Sequence, residues 1–223
     1  MATFGELKSR IAGALIRNDL TTQIEDTINR VIRFYQSRHF WFNEEVVTIT
    51  LNAGDAVVPN LPSDFLYEVP QDGLTIVFNQ SRFVLKKVHP GTYDEINYDG
   101  QGLPYWYTNR NGQLLLYYVP DQAYDLQLYY VKNYPELTSD NQSNDWTNEA
   151  ERLIFAKSMA DLYLEQLHER GNTPSLYETY EQRADEEERQ LRIRNNARIG
   201  TSSLITENII DGGDAYYYTN YNP

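Results

Sequence analysis

The spacing of apolar residues changes twice along this chain, and this change limits the folds that it can adopt. Over residues 4–38 apolar residues recur every three or four positions, as they do on one face of an α-helix. From about residue 42 to residue 134 they alternate with polar residues and many are β-branched, which is typical of half-buried strands. Helical spacing returns at residue 147. The order of helices, strands and helices predicts an α+β fold.

The helical spacing divides into four predicted helices, which cover residues 4–18, 22–38, 147–168 and 175–198. Thr21 or Thr22 can cap the second helix, and Glu25 lies at capping-box distance from Thr22. We expect the N-terminal hairpin and the two C-terminal helices to pack as one helical bundle. The predicted apolar stripes consist of Phe4, Leu7, Ile11, Ala14 and Leu15; Ile24, Ile28, Val31, Ile32 and Tyr35; Ala150, Leu153, Ile154, Ala156, Ala160, Tyr163, Leu164 and Leu167; and Leu176, Tyr177, Tyr180, Ala184 and Leu191.

The alternating region predicts a mostly antiparallel β-sheet or small barrel inserted into the bundle. Short turns at residues 79–81, 111–112 and 120–121 indicate that hairpins connect many of its strands. The segment TYDEIN predicts a single helical turn. The strand candidates are NEEVVTITLNAG, GLTIVFN, SRFVLKKV, PYWYTNR, GQLLLYYVP and YDLQLYYVKNY.

These patterns predict four parts of the chain. The expected parts are an N-terminal helical hairpin at residues 1–40, an inserted β subdomain at 41–138, C-terminal helices at 139–198 and an extended C-terminal arm at 199–223. The arm shows no helical or strand period over a useful length, and Gly212 and Gly213 interrupt it.

Composition and charge exclude several classes of protein. The chain contains no cysteine, so it has no disulfide, no thiolate nucleophile and no cysteine-based metal centre. Its formal net charge is −13. Tight binding to nucleic acid depends largely on Lys and Arg that neutralise phosphates, so this charge disfavours a DNA-binding or RNA-binding role. No apolar run is long enough for a membrane span or a signal sequence, so we expect synthesis in a cytoplasm.

The usual catalytic motifs are absent from the sequence. Its three histidines form no HExxH motif, and neither GxSxG nor GxxxxGK[ST] occurs. The segment YDGQGLP is interpreted as a turn. His168 with Glu165 and Glu169 could be drawn as a metal site, but a histidine near a helix C-terminus is the simpler interpretation. We therefore predict no catalytic, cofactor-binding or metal-binding residues. The 32 acidic residues leave open a glycosidase-type carboxylate pair, which spacing alone does not reveal.

The run DEEERQLRIR at residues 185–194 is the most highly charged part of the last predicted helix. Glu188 and Arg192 are spaced as an i,i+4 pair, which is typical of a solvated helix face. The alternative is a charged surface that contacts an adjacent subunit, where opposite charges set the register. The residues of this candidate subunit interface are Glu186, Glu187, Glu188, Arg189, Arg192 and Arg194.

The chain ends in DAYYYTNYNP, an aromatic segment without an apolar pattern that could fold it into a core. One interpretation is an unstructured terminus. The other, which we favour, is a docking arm, because exposed aromatic residues reduce solubility unless a partner buries them. The candidate contact residues are Ile209, Ile210, Tyr216, Tyr217, Tyr218 and Tyr221.

Two long segments resemble the head-to-tail adaptor proteins of tailed bacteriophages, chiefly short-tailed ones. The first is MATFGELKSRIAGALIRNDLTTQIEDTINRVIRFYQSRHFWFNEE, in which two short helices end in FWFNE before a strand. The second is LPYWYTNRNGQLLLYYVPDQAYDLQLYYVKNYPEL, with a Pro-x-x-Tyr strand, an Asn-Gly turn, a Val-Pro-Asp turn and a Tyr-rich strand in order. The resemblance covers about residues 1–170.

The resemblance implies a structural protein of the virion neck, also called a head completion protein. Such proteins assemble as a ring, typically twelve-membered, beneath the portal after DNA packaging, and they provide the platform for the tail. The implied partners are the portal protein, tail or nozzle proteins and further copies of this chain. DNA would pass through the channel without specific binding, and no cofactor or membrane is implied. C-terminal segments in the family extend to portal subunits, although this arm could also reach the tail.

Two alternatives to this reading remain at the level of sequence. A virion-associated hydrolase of cell-wall glycan would use a carboxylate pair among the helices. A cellular interaction module unrelated to phages would share only the order of helices and strands.

Overall fold

The computed structural model describes residues 2–70, 73–95, 100–166 and 173–199. These residues form six helices and eight strands, and the prediction of an α+β fold is confirmed. The helices are α1 Phe4–Leu15, α2 Thr21–Tyr35, α3 Pro90–Glu95, α4 Asp145–Glu149, α5 Glu151–Gln166 and α6 Thr173–Ile199. The strands are β1 Glu44–Leu51, β2 Phe65–Glu68, β3 Leu74–Phe78, β4 Ser81–Val84, β5 Lys86–Lys87, β6 Trp106–Arg110, β7 Gln113–Tyr117 and β8 Tyr124–Lys132.

The first helix begins at a capping box and ends earlier than predicted. The Thr3 side chain accepts a hydrogen bond from the Glu6 backbone, and the Glu6 carboxylate accepts one from the Thr3 backbone. At the other end Ile16 adopts a left-handed conformation with φ of 54°, which ends the helix before residue 18. Ala14, which was placed on the apolar stripe, is exposed.

The predicted capping of α2 by Thr21 or Thr22 is wrong. Thr21 is already the first helical residue, and Leu20 occupies the cap position without a side-chain hydrogen bond. Glu25 forms an ion pair with Lys8 of α1, with 2.5 Å between Nζ and Oε1, instead of closing a capping box. Leu20 is buried, so the start of α2 is held mainly by packing.

The C-terminal helices also differ from the prediction. The helix expected over residues 147–168 is divided at Ala150 into α4 and α5, and Asn144 caps α4 by accepting a hydrogen bond from the Thr147 backbone at 3.0 Å. Leu164 was expected on the apolar stripe, but 53% of its surface is exposed. Leu176 of α6 is likewise 39% exposed, whereas Ala184 and Leu191 are buried as expected. Leu167 and His168 lie outside the described residues.

Four helices share one hydrophobic core. Residues of α1, α2, α5 and α6 contribute to it, together with Trp146 of α4 and Phe40 from the segment before β1. Trp146 is fully buried, and the rings of Phe40 and Phe42 meet it edge-on with centroids 5.6 and 4.9 Å away. This aromatic contact joins the helical core to the two chain segments that enter and leave the β-sheets.

The strands form two sheets, with β8 at the centre of the larger one. The five-stranded sheet has the order β1-β8-β3-β4, and β2 pairs with β8 along the same edge as β3. All β1 residues pair with β8 in antiparallel register, from Glu44 opposite Val131 to Leu51 opposite Tyr124. The second sheet has the order β5-β6-β7, in which β5 is parallel to β6. Apolar residues of both sheets bury one shared core.

Two of the expected hairpins are present. Asn79 and Gln80 connect β3 to β4, and Asn111 and Gly112 connect β6 to β7; all four have the positive φ angles of a two-residue hairpin turn. The expected hairpin between β7 and β8 is not formed, because the two strands belong to different sheets. Tyr118 has φ of 64° between them, which turns the chain away from the β7 direction.

An ion pair between a buried carboxylate and an exposed lysine joins the two sheets. Glu68 of β2 is 3% exposed, and its carboxylate lies 2.5 Å from Nζ of Lys87 in β5. The Asn109 side chain of β6 donates a 3.0 Å hydrogen bond to the other carboxylate oxygen. The sheets are therefore held together by a specific polar contact as well as by their apolar core. No described helix is long and apolar enough to span a membrane.

Candidate interaction surfaces

Glu186 and Arg189 of the charged run lie on the outer surface of α6. Nε and Nη2 of Arg189 each donate a 2.8 Å hydrogen bond to Glu186, and Gln190 donates a third. These hydrogen bonds lower the pKa of Glu186 to about 2. Both side chains of the pair are more than half exposed. They form a solvated helix face that an adjacent subunit could contact.

Glu188 points toward its own chain. Its side chain is 15% exposed and pairs with Arg38, which follows α2, and with Arg192 one helical turn away at 2.7 Å. The Arg38 guanidinium also lies 4.8 Å from the ring centre of Tyr35. Burial, with the negative charge of Glu188 nearby, raises the pKa of Tyr35. Glu188 therefore connects α6 to α2.

Arg194 takes part in a contact that we call the Trp41 clamp, formed by Trp41, Arg194, Asn195 and Arg198. The two guanidinium groups lie 5.5 and 4.3 Å from the centre of the Trp41 ring. Asn195 accepts a 2.8 Å hydrogen bond from the Trp41 backbone and donates one to the His39 carbonyl. The clamp fastens the end of α6 to the segment between α2 and β1.

The predicted interface residues Glu186, Glu187 and Arg194 meet in a polar cleft of about 680 Å³. The facing wall is the junction of α4 and α5. The other polar residues that line the cleft are Asn148, Glu149, Glu151, Arg152 and Gln190. The cleft carries both signs of charge, so it could recognise a partner surface with a matching pattern.

A shallower depression of about 430 Å³ lies where α6 ends. Its lining comes from the clamp residues Trp41 and Arg198, from Ile199 and from the start of β1, including Val46. The predicted arm begins here, beside the larger sheet. The arm residues Ile209, Ile210, Tyr216, Tyr217, Tyr218 and Tyr221 lie outside the described residues, and their role stays a prediction.

An ion-pair network lies between α2, α5 and α6. Lys157 contacts Glu181 at 2.7 Å and Asp161 at 3.4 Å, and Arg30 contacts Glu165 at 2.9 Å. Burial raises the pKa of Asp161, although Lys157 and Arg30 oppose that shift. These carboxylates are held by cations from neighbouring helices, an arrangement suited to joining helices.

Glu186, which lines the polar cleft, is not suited to act as a general acid. A glycosidase acid needs a raised pKa, and that of Glu186 is lowered. Among the described residues, no group of His, Cys, Asp and Glu is arranged to hold a metal ion. His168 and Glu169, the residues around which a metal site could be drawn from the sequence, lie outside them.

An aromatic cluster on the smaller sheet was missed by the sequence analysis. Trp106 and Tyr117 are neighbours with ring centroids 5.3 Å apart, and Tyr117 contacts Tyr93 of α3 and Tyr118. Tyr105, which contacts Tyr118, is 51% exposed. The available signal was the occurrence of PYWY and LYYV on two strands joined by an Asn-Gly turn. Exposed Tyr and Trp side chains are enriched at protein interfaces.

Comparison with curated proteins gives no match. A protein-family model described as SU10 adaptor protein matches residues 2–206. The match includes all six helices, both sheets and the charged run of α6. It confirms the resemblance to phage head-to-tail adaptors that the two sequence segments indicated. The chain therefore belongs to the SU10 adaptor protein family and is a structural adaptor of a bacteriophage.

Proposed function

We propose that this protein is the head-to-tail adaptor of a phage virion neck. Copies assemble as a ring, with twelve members as the first expectation, beneath the portal after DNA packaging. The ring completes the head and provides the platform on which tail or nozzle proteins attach. The observation that carries the proposal is the family match, which spans residues 2–206 and so includes both the helical core and the sheets.

The charge of the chain supports passage of DNA through such a ring. The formal net charge is −13, and most of the acidic excess lies between residues 41 and 146 and in the arm. A channel with this charge repels phosphate groups and does not retain the duplex. DNA therefore moves through the ring without specific binding. The proposal includes no catalytic step.

A closed ring requires each subunit to present two different surfaces to its neighbours. The polar cleft on α6 is a candidate for one of them, and Glu186, Glu187, Glu188, Arg189, Arg192 and Arg194 remain the proposed subunit contacts there. Glu188 and Arg194 also bind within their own chain. We therefore assign the direct contact with a neighbouring subunit to the exposed members of the set. Glu188 and Arg194 hold α6 in place within its own chain.

The arm is proposed to bind the portal. It begins beside the Trp41 clamp, which holds the end of α6 against the sheet and so sets the point from which the arm extends. Ile209, Ile210, Tyr216, Tyr217, Tyr218 and Tyr221 supply apolar and aromatic side chains that a groove on the portal would bury.

The test is a mass measurement by light scattering, on the full chain alone and mixed with the portal ring of the same phage. We expect one copy to be taken up per portal subunit. A variant shortened to residues 1–208 serves as the control, because it lacks the proposed portal contact. Absence of uptake of the full chain at micromolar concentration would reject the adaptor function.

A further inference from the structure

The depression at the end of α6, which we call the α6-end depression, lies between this helix and the larger sheet. Val46 of β1 and Tyr129 of β8 are opposite each other in register, and both line it. The neighbours of Tyr129 along β8, Leu128 and Tyr130, belong to the core between the sheets. Because side chains alternate along a strand, Tyr129 and Val46 lie on the sheet face that points away from this core.

Two large apolar side chains are exposed in the α6-end depression. Val46 is 49% exposed, and Ile199, the last residue of α6, is 39% exposed. The Trp41 side chain is part of the same lining. The volume of about 430 Å³ lies within the range of about 300–1,000 Å³ that is usual for binding pockets. Exposed apolar residues that share one concave surface are typical of an interaction site, whereas scattered ones are not.

The charged groups of the lining already have partners within the chain. Oε2 of Glu44 lies 2.8 Å from Nε2 of His39, and Oε2 of Glu45 lies 3.5 Å from Nζ of Lys132. The Arg198 guanidinium lies 4.3 Å from the centre of the indole ring in the clamp. A charged occupant would have to compete with these contacts. The occupant that fits is therefore an uncharged segment with apolar side chains.

The chain itself supplies such a segment directly after α6. Residues 200–206, GTSSLIT, contain no charged residue, and Leu204 and Ile205 are apolar. The acidic residues of the arm begin only at Glu207. A glycine directly after a helix commonly reverses the chain direction, so Gly200 favours a return toward the depression. The three residues between Gly200 and Leu204 span up to about 10 Å, which is enough to enter it.

The family match gives a second reason to separate this segment from the rest of the arm. The match ends at residue 206, so it includes Leu204 and Ile205 but not the aromatic residues near the C-terminus. We call residues 200–206 the arm base. The arm base belongs to the part of the chain that has the family pattern, together with the helices and sheets.

We propose that the arm base folds back onto its own chain, where Leu204 and Ile205 cover Val46 and Ile199 in the α6-end depression. This inference deepens the proposed role of the arm, and its consequence for the portal rests on that role. Only residues 207–223 then extend to the portal, and they start from a fixed position beside β1. A fixed start reduces the conformational freedom that the arm loses on binding, which favours affinity.

The absence of cysteine allows the depression to be probed with a single introduced thiol. In the full chain with Val46→Cys, we expect Leu204→Ser with Ile205→Ser to speed the reaction with a soluble maleimide about tenfold. The reason is that a covered thiol reacts only while the segment above it is displaced. Each rate is compared with and without the serine substitutions at one position, because neighbouring charges alter the reactivity of a thiol.

The control for this comparison is Val84→Cys. Val84 of β4 is 48% exposed, almost as much as Val46, and lies at the other end of the strand order in the larger sheet. The serine substitutions at Leu204 and Ile205 should leave its reaction rate unchanged. Circular dichroism of each variant shows whether it is folded.

A disulfide identifies which copy the arm base covers. The full chain with Val46→Cys and Leu204→Cys should, on oxidation, form a bond within one chain and keep the mass of a monomer in non-reducing electrophoresis. Val84→Cys with Leu204→Cys should form this bond much more slowly, because β4 is three strands away from β1, or about 14 Å. Linked dimers from the first pair would place the arm base on a second copy.

The outcomes are separate from those of the portal experiment, because these measurements use the protein alone. A rate at Val46→Cys that rises on substitution of Leu204 and Ile205, with a disulfide inside the chain, supports the inference. Equal rates with and without the serine substitutions overturn it, as do linked dimers. Failure of the full chain to bind the portal ring rejects the proposed function and does not alter the thiol rates.

Discussion

The Trp41 side chain fixes the position of the C-terminal end of α6, the longest described helix. Its ring lies under two guanidinium groups of α6, and its backbone N–H is bound by Asn195. A cation over an aromatic ring contributes about 0.5–1 kcal/mol at an exposed site. The clamp thus adds modest stability, and its main consequence is to fix where the chain continues toward the arm.

We expect Trp41→Ala to loosen the last turns of α6 without unfolding the protein. Hydrogen exchange of residues 190–199 should become faster, and the free energy of unfolding should fall by about 1–2 kcal/mol from the two lost ring contacts. Trp41→Phe, which keeps an aromatic ring, should have a smaller effect. Equal exchange in all three proteins would contradict the clamp.

Glu68 is the residue on which the polar contact between the sheets depends. Replacement of Glu68 by Gln removes the charge that binds Lys87, but Lys87 is 58% exposed and can be hydrated. We expect a loss of about 1–3 kcal/mol, the usual range for disturbing a buried charged hydrogen bond. Urea denaturation measures this change in the free energy of unfolding.

The matched control for this change is Glu45→Gln. Glu45 is half exposed and lies 3.5 Å from Lys132, which also pairs with Asp145; ion pairs at the surface contribute about 0–1 kcal/mol. Equal effects of the two substitutions would show that the Glu68 contact does not hold the sheets together.

At the scale of the element, α6 combines an inner side that binds its own chain with an outer charged surface. The pKa of Glu186 is lowered to about 2 from 4.5. A carboxylate with a lowered folded pKa contributes stability above its unfolded pKa, and that contribution disappears as pH falls through the folded value. The pairing of Glu186 with Arg189 should therefore persist at pH 4 and be lost toward pH 2.

Carboxyl carbon titration by NMR measures this directly. The midpoint of Glu186 should lie well below the usual value for a glutamate side chain. Arg189→Gln should raise it toward the usual value, because Arg189 is the largest cause of the shift. An unchanged midpoint would contradict the assignment.

The outer surface of α6 also carries a prediction about assembly. Glu187→Arg reverses a charge in the polar cleft, and it should weaken ring formation if the cleft contacts a neighbour. Glu178→Arg makes the same change on an exposed part of the helix outside the cleft and should have no effect. Light scattering on the assembled protein compares the two, and normal assembly of both would favour a solvated helix face.

At the scale of the whole molecule, we expect the two cores to maintain the fold and the arm to bind a partner. Deletion of residues 209–223 should leave folding intact, because their sequence has no helical or strand period that could contribute to a core. The shortened protein should keep the thermal transition of the full chain and lose attachment to the portal ring. Pull-down with the portal ring tests the second part, and unchanged attachment would show that the aromatic arm does not bind the portal.

The sequence predicted the parts of this fold that depend on neighbouring residues. Periodicity located α1, α2, α6 and most strands, and the two-residue turns at residues 79–80 and 111–112 formed as their local chemistry requires. The strand β2 was missed, because its four residues lie between prolines and give too short a pattern. Capping of α2 was predicted wrongly, since Lys8 from another helix binds the glutamate that the local motif would have used.

For the candidate surfaces, the sequence by itself determined which residues were charged or aromatic, but not which of them met. The run at residues 185–194 was recognised, yet only the folded chain turned Glu188 and Arg194 toward α2 and Trp41 and left Glu186 and Arg189 outside. Likewise the alternating pattern located most strands in the sequence, but it did not determine their order in the sheets. The reason is physical: periodicity and turn chemistry act between adjacent residues, whereas the pairing of β1 with β8 joins segments about eighty residues apart and depends on the whole core.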